Sequence, residues 1–140
     1  MRIGEVAERT GLTPRTIRYY EEIGLLPAPP RTEGNRRHYE AADLHRLAFI
    51  RHARELGFHV NAIRTLLSLQ DNPRQSCEAA DEIARARLAE VDRRIANLTA
   101  LRAELQRMIA QCARGRVADC RVIETLADET HAHGRLDGPA

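Results

Sequence analysis

Lysine and tryptophan are absent from the 140 residues, and all 22 basic residues are Arg. Every side-chain cation is therefore a guanidinium fork suited to phosphate and guanine, although a GC-rich coding sequence produces the same bias. Aromatic residues amount to 4% against 43% hydrophobic residues, so the core is built from Leu, Ile, Val and Ala, which favours helices over a β-sandwich. No run approaches the ~20 apolar residues of a membrane span. Met1-Arg2-Ile3-Gly4-Glu5 lacks the apolar stretch of a signal peptide, and a cytoplasmic protein is expected. Cysteine is scarce too: Cys77, Cys112 and Cys120 are an odd number too sparse for a disulfide framework, and the cytosol keeps them as thiols. They are core residues, reactive thiols or metal ligands. The length excludes a large multidomain enzyme, and no nucleophile–base pair or open metal site points to catalysis.

What is present is unevenly spread. Residues 1–70 carry 11 Arg against 8 acids, a net +3, whereas residues 71–140 carry 11 Arg against 12 acids, a net −1. In the basic half, Ile3, Val6 and Ala7 share a helical face that Thr10-Gly11-Leu12 breaks. Thr13-Pro14 then restarts a helix with a hydroxyl N-cap and proline at its first position. Two short helices around a glycine turn predict a helix-turn-helix, with residues 14–22 as the recognition helix. Arg15, Arg18, Tyr19 and Tyr20 are expected near its exposed face and Ile17 inward.

Three prolines between Leu26 and Pro30 forbid helix, and residues 31–39 read as a short hairpin around a glycine turn. Arg36, Arg37 and Tyr39 of this basic wing are expected to meet phosphate or the minor groove. Asp43 and Asn61 are expected to cap two further helices, ending near Gly57 and Asp71.

Beyond Pro73 the pattern becomes a heptad: Ala84, Leu88, Val91, Ile95, Leu98, Arg102, Leu105 and Ile109 follow steps of three and four. So sustained a seam requires a second helix, and one chain offers none comparable, so a homodimer is expected. Cys77 and Cys112 continue the seam at opposite ends, roughly 52 Å apart at ~1.5 Å per residue, and cannot share an ion within a chain. In an antiparallel dimer the start of one helix meets the end of its mate. Cys77 of one chain then approaches the Cys112–Cys120 loop of the other, giving two composite three-thiolate sites for soft ions such as Zn²⁺, Cd²⁺, Pb²⁺, Hg²⁺ or Cu⁺. A redox sensor is the rival reading of the same thiols. His38, His45, His52 and His59 recur every seven residues, too far apart on a helix for one ion, and are read as solvated. Residues from Ala127 onward, with His131 and His133, are expected to form a flexible tail.

Ile3-Gly4-Glu5-Val6-Ala7, Thr16-Ile17-Arg18-Tyr19-Tyr20-Glu21, Gly24-Leu25-Leu26-Pro27 and Arg37-x-Tyr39 together resemble the MerR family of bacterial transcriptional regulators, over residues 1 to about 126. The resemblance implies a mainly α protein: a winged helix-turn-helix domain (1–72), a dimerisation helix (73–111) forming an antiparallel coiled coil, a metal-binding loop and short helix (112–126) and a tail (127–140). It implies a homodimer on double-stranded promoter DNA that bends and untwists the duplex on effector binding so that RNA polymerase engages the promoter. Arg18 and Tyr20 match the family's DNA-contacting helix residues, and Arg37 and Tyr39 its wing. Arg36 stands where an aromatic residue is common. Cys77, Cys112 and Cys120 match the ligands of members that sense divalent soft metals, whereas copper(I) sensors usually carry Ser at the position of Cys77. The seven-residue gap between Cys112 and Cys120 is that of the copper sensors. A soft divalent effector (Cd, Pb, Zn or Hg) is expected, with a copper(I)-responsive or a redox- or small-molecule-responsive regulator as the alternatives.

Overall fold

The computed structural model describes residues 1–112 and 115–133. They are mainly helical, and no strand forms among them. The chain divides into two compact units, Met1–Ala84 and Arg85–Ala140.

In the first unit, α1 (Ile3–Thr10) ends where Gly11 takes a left-handed φ of 73° and its N–H reaches the Ala7 carbonyl at 2.9 Å. That conformation is nearly free of strain for glycine alone. The Thr13 side chain then accepts the Thr16 N–H at 3.1 Å and starts α2 (Pro14–Glu22), as its Thr-Pro sequence predicts. α3 (Ala41–Glu55) and α4 (Val60–Gln70) complete the unit. Val6, Ile17, Leu25, Leu47, Ile50 and Ile63 are fully buried between these helices. The connection after α2 turns at Gly24, φ 78°, and two arginines hold it. Arg64 Nη2 donates to the Ile23 carbonyl at 2.7 Å, and Arg46 Nε donates to that of Leu25 at 2.8 Å while its Nη1 pairs with Asp71.

Both expected caps lie elsewhere. Glu40 is the N-cap of α3, and Asp43, at the third helical position, accepts the Glu40 N–H at 2.9 Å through its carboxylate. A carboxylate three residues into a helix turns back on the cap instead of being it. His59 is the N-cap of α4, which places Asn61 already inside the first turn. The wing is held by a single antiparallel bridge, Arg31 to Arg37, and by the Thr32 N–H on the Arg36 carbonyl at 2.8 Å. Its left-handed residue is Asn35, φ 58°, and not the neighbouring glycine, because Asn tolerates this region through its short polar side chain.

Helix α5 (Glu78–Ala110) is 33 residues long. Within the second unit its seam residues Leu88, Ile95, Leu98, Leu105 and Ile109 are 46–71% exposed. Met108 is buried instead. A 3-10 turn (Val117–Asp119) leads into α6 (Arg121–Ala127). Just after α6, Thr130 donates twice to the Asp128 carboxylate, and His131 Nε2 meets Glu104 of α5. The tail expected from Ala127 thus has defined contacts as far as His133, whose ring lies 5.8 Å from that of His131. The rest of that tail, from residue 134, lies outside the described residues.

Candidate nucleic-acid interface and thiol pair

Helix α2 sends Ile17 and Tyr20 into the core and leaves Arg15, Arg18 and Tyr19 exposed, Tyr19 by 48%. Tyr20, expected on the outer face, is only 7% exposed: at three residues from Ile17 it shares that residue's inward face, and its ring lies 5.9 Å from that of Tyr19. Arg18 lines a cleft of about 210 Å³ with Arg2, Arg31, Arg36 and Arg37. Five arginines around one small cleft concentrate positive charge there, and a polyanion is the complementary ligand. Arg31 and Arg2 were not singled out in the sequence. Arg31 was discoverable, because antiparallel pairing sets it opposite Arg37 across the hairpin.

Along the wing, Arg36 and His38 are exposed, Arg37 is half-buried and Tyr39 is completely buried. This is the two-residue alternation of extended chain, and it turns 37 and 39 towards α2. Tyr39 was expected at the DNA surface; it lies in the core instead. Its hydroxyl donates to Glu21 Oε1 at 2.5 Å, and the other carboxylate oxygen, Oε2, pairs with Arg37 Nε at 3.0 Å. Burial, then the bond to Glu21, push the Tyr39 hydroxyl far above its ordinary range, so it remains a proton donor. Glu21, 7% exposed at its side chain, is a third residue that sequence reasoning missed, although it closes the Ile-Arg-Tyr-Tyr-Glu block.

The other site lies in the second unit. Cys112 and Cys120 Sγ atoms are 3.7 Å apart, both half-buried. Cys112 follows the last turn of α5, its N–H on the Ile109 carbonyl at 3.2 Å, and Cys120 is the N-cap of α6. At the start of α6 the backbone N–H of Ile123, helped by Cys112 and the N–H of Val122, draws the Cys120 thiol below its ordinary range against some desolvation, without a side-chain cap hydrogen bond. The contact with Cys120, with some desolvation, pushes Cys112 up. The pair is thus arranged as one thiol beside a more acidic one. Cys77 is exposed just before α5, its carbonyl accepting the Asp81 N–H at 2.9 Å. No three His, Cys, Asp or Glu side chains converge in metal-binding geometry among the described residues. Nor is any helix among them long and apolar enough to cross a membrane.

A helix-turn-helix with a basic wing and a long helix carrying an unpaired apolar seam defines a DNA-binding regulator of dimer-forming type. The chain matches the models of the MerR HTH family regulatory protein over residues 1–70 and of the MerR DNA-binding region over residues 44–108, and it belongs to the MerR family. It is 44% identical over 129 residues to the HTH-type transcriptional regulator HmrR of Rhizobium leguminosarum bv. viciae, covering 91% of this chain and 98% of that one. To ZntR of Escherichia coli K12 it is 43% identical over 128 residues, covering 89% and 91%. The crystal structure of the regulator PbrR691 from Ralstonia metallidurans CH34 in complex with lead(II) superposes with a TM-score of 0.79 at 38% identity, over 91% of this chain and 99% of that one. The family consists of transcriptional regulators and not of enzymes.

Proposed function

We propose that this chain is a soft-metal-responsive transcriptional regulator that binds promoter DNA as an antiparallel homodimer and activates transcription when an ion binds its cysteines. The observation that carries the proposal is the Cys112–Cys120 pair, 3.7 Å apart. A tetrahedral ion with metal–sulfur bonds of about 2.3 Å holds two sulfurs about 3.8 Å apart, whereas a linear pair of such bonds needs about 4.6 Å. Two thiols already in contact can close on one ion with little movement, and the partner subunit's Cys77 is the third thiolate in this reading. The bare seam of α5 supports the dimer that would deliver it. Copper(I) is the second reading, favoured by the convergence of only two thiols within one chain.

On the DNA side, Arg15, Arg18 and Tyr19 of α2 and Arg36 and Arg37 of the wing are the contacts we assign, with Tyr20 and Tyr39 as the buried rings behind them. In this reading, supported by family membership, the bound dimer distorts the promoter and lets RNA polymerase engage it, and the protein would act in the cytoplasm. The test is a titration of the reduced full-length chain with Zn²⁺, Cd²⁺, Pb²⁺, Hg²⁺ and Cu⁺ under competing chelators, for the wild type and for Cys77→Ser. One divalent ion per chain, lost in Cys77→Ser, supports the proposal. Full uptake by Cys77→Ser moves the assignment to the two-thiolate copper site, and no stoichiometric uptake of any ion removes the metal-responsive function.

A further inference from the structure

Glu21 stands where the recognition helix and the wing meet. It lies in the last turn of α2, its side chain is 7% exposed, and each carboxylate oxygen has a separate partner on the wing: Tyr39 on Oε1 and Arg37 on Oε2. Those partners are two residues apart on extended chain and so face the helix together, while His38 between them, Arg36 before them and the Arg37 bridge partner Arg31 stay exposed. The Tyr39 hydroxyl and its full burial fix the end of the wing. The contact to Arg37 is made through Nε, the inner nitrogen, which leaves the terminal nitrogens uncommitted by it.

A buried carboxylate paired with Arg37, one of the five arginines that line the cleft, is opposed to anion binding there by its charge alone. Its cost to DNA affinity is offset only if it orders something that the DNA needs. We propose that Glu21 is a positioning residue for DNA reading, which holds Arg37 and the wing in fixed register against α2 so that the wing and the recognition helix address one duplex together. The proposal rests on the assignment of α2 and the wing to promoter DNA.

The sign of one substitution separates this role from electrostatics. Glu21→Gln keeps the volume and an acceptor for Tyr39 but removes the charge that orients Arg37. Coulomb's law alone predicts tighter binding to any DNA, while a purely structural role predicts a lower melting temperature with parallel losses on all DNA. Positioning predicts neither. The experiment uses the full-length dimer, a duplex that the wild type selects from a random-sequence pool, and a scrambled duplex of equal length and composition. Expected is a loss of about tenfold on the selected duplex, the order of one guanidinium contact, with affinity for the scrambled duplex kept or raised and the melting temperature within a few degrees of wild type. In an Arg37→Ala background the same change should cost no more than about twofold, because the group through which it acts is gone. Should Glu21→Gln not fold, Tyr39→Phe, which deletes only the hydroxyl, takes its place with a selective loss of about threefold.

Unchanged or improved affinity of the variant for the selected duplex overturns the proposal, as does a full tenfold effect surviving in the Arg37→Ala background. A wild-type chain that enriches no duplex overturns the DNA assignment itself and this proposal with it. The two failures are thereby told apart.

Discussion

Arg18 shares its cleft with Arg2, Arg31, Arg36 and Arg37, so Arg18→Ala removes one guanidinium from a group that needs an anionic partner more than it needs that member. Stability should hold or rise slightly, while promoter affinity falls by about 1–3 kcal/mol, read by electrophoretic or fluorescence titration at fixed salt. Unchanged affinity would take Arg18 off the contact surface. Gly24 presents the opposite case. At φ 78° a side chain is strained, and an added Cβ would lie 3.3 Å from Arg64 Nη1, whose neighbour Nη2 holds the Ile23 carbonyl. Gly24→Ala should cost about 1–2 kcal/mol in urea denaturation, with no change in thiol reactivity. Single residues were also where the sequence was least legible. The basic character of positions 15, 18, 36 and 37 was visible without coordinates. The burial of Tyr20 and Tyr39 was not, because an aromatic ring among arginines suits either side of a surface and only the packing partner decides which. Glu21 escaped notice for a related reason: one acid in a basic segment reads as solubility until its two partners are known.

At the scale of elements, the heptad and the Thr-Pro start of α2 were legible because period and cap chemistry are local. The caps of α3 and α4 were displaced by two or three residues, since Glu40 and Asp43 are both capable acids and the backbone chooses between them by tertiary fit. Leu98 tests the seam. It is 46% exposed, so Leu98→Glu costs a lone helix little, whereas two carboxylates facing each other across a dimer would have to be buried or expelled. Monomers are expected in sedimentation, with helical content preserved, and a variant that still sediments as a dimer would place the interface elsewhere. The cap of α6 makes a second prediction. Because the start of α6 lowers the Cys120 thiol while contact with Cys120 raises Cys112, Cys120 is expected to be the readier thiolate of the two. Iodoacetamide should alkylate Cys120 before Cys112 in peptide mass spectrometry of the metal-free protein.

For the whole molecule, the proposed metal site is a property of two chains. That is why the cysteine spacing suggested it while a single chain brings only Cys112 and Cys120 together. Cys77→Ser and Cys112→Ser homodimers should each lose most of their affinity for Cd²⁺ or Pb²⁺, a hydroxyl being a poor soft-metal ligand. Mixed as a heterodimer, both lesions fall at one end, and the other end keeps Cys77 opposite an intact Cys112–Cys120 loop. One ion per heterodimer should bind at near-parental affinity, measured by chelator competition. No recovery in a verified heterodimer would place all ligands within one chain.

The bond from Glu21 to both Tyr39 and Arg37 also bears on how such regulators are recombined. A wing tied to its helix by a buried carboxylate is not a detachable reading head. Exchanging residues 31–39 between relatives transfers a loop without the residue that sets its register. On the proposed role of Glu21, a cassette that carries sequence preference must include at least Pro14 to Tyr39, and promoter specificity should be inherited, or lost, with that block.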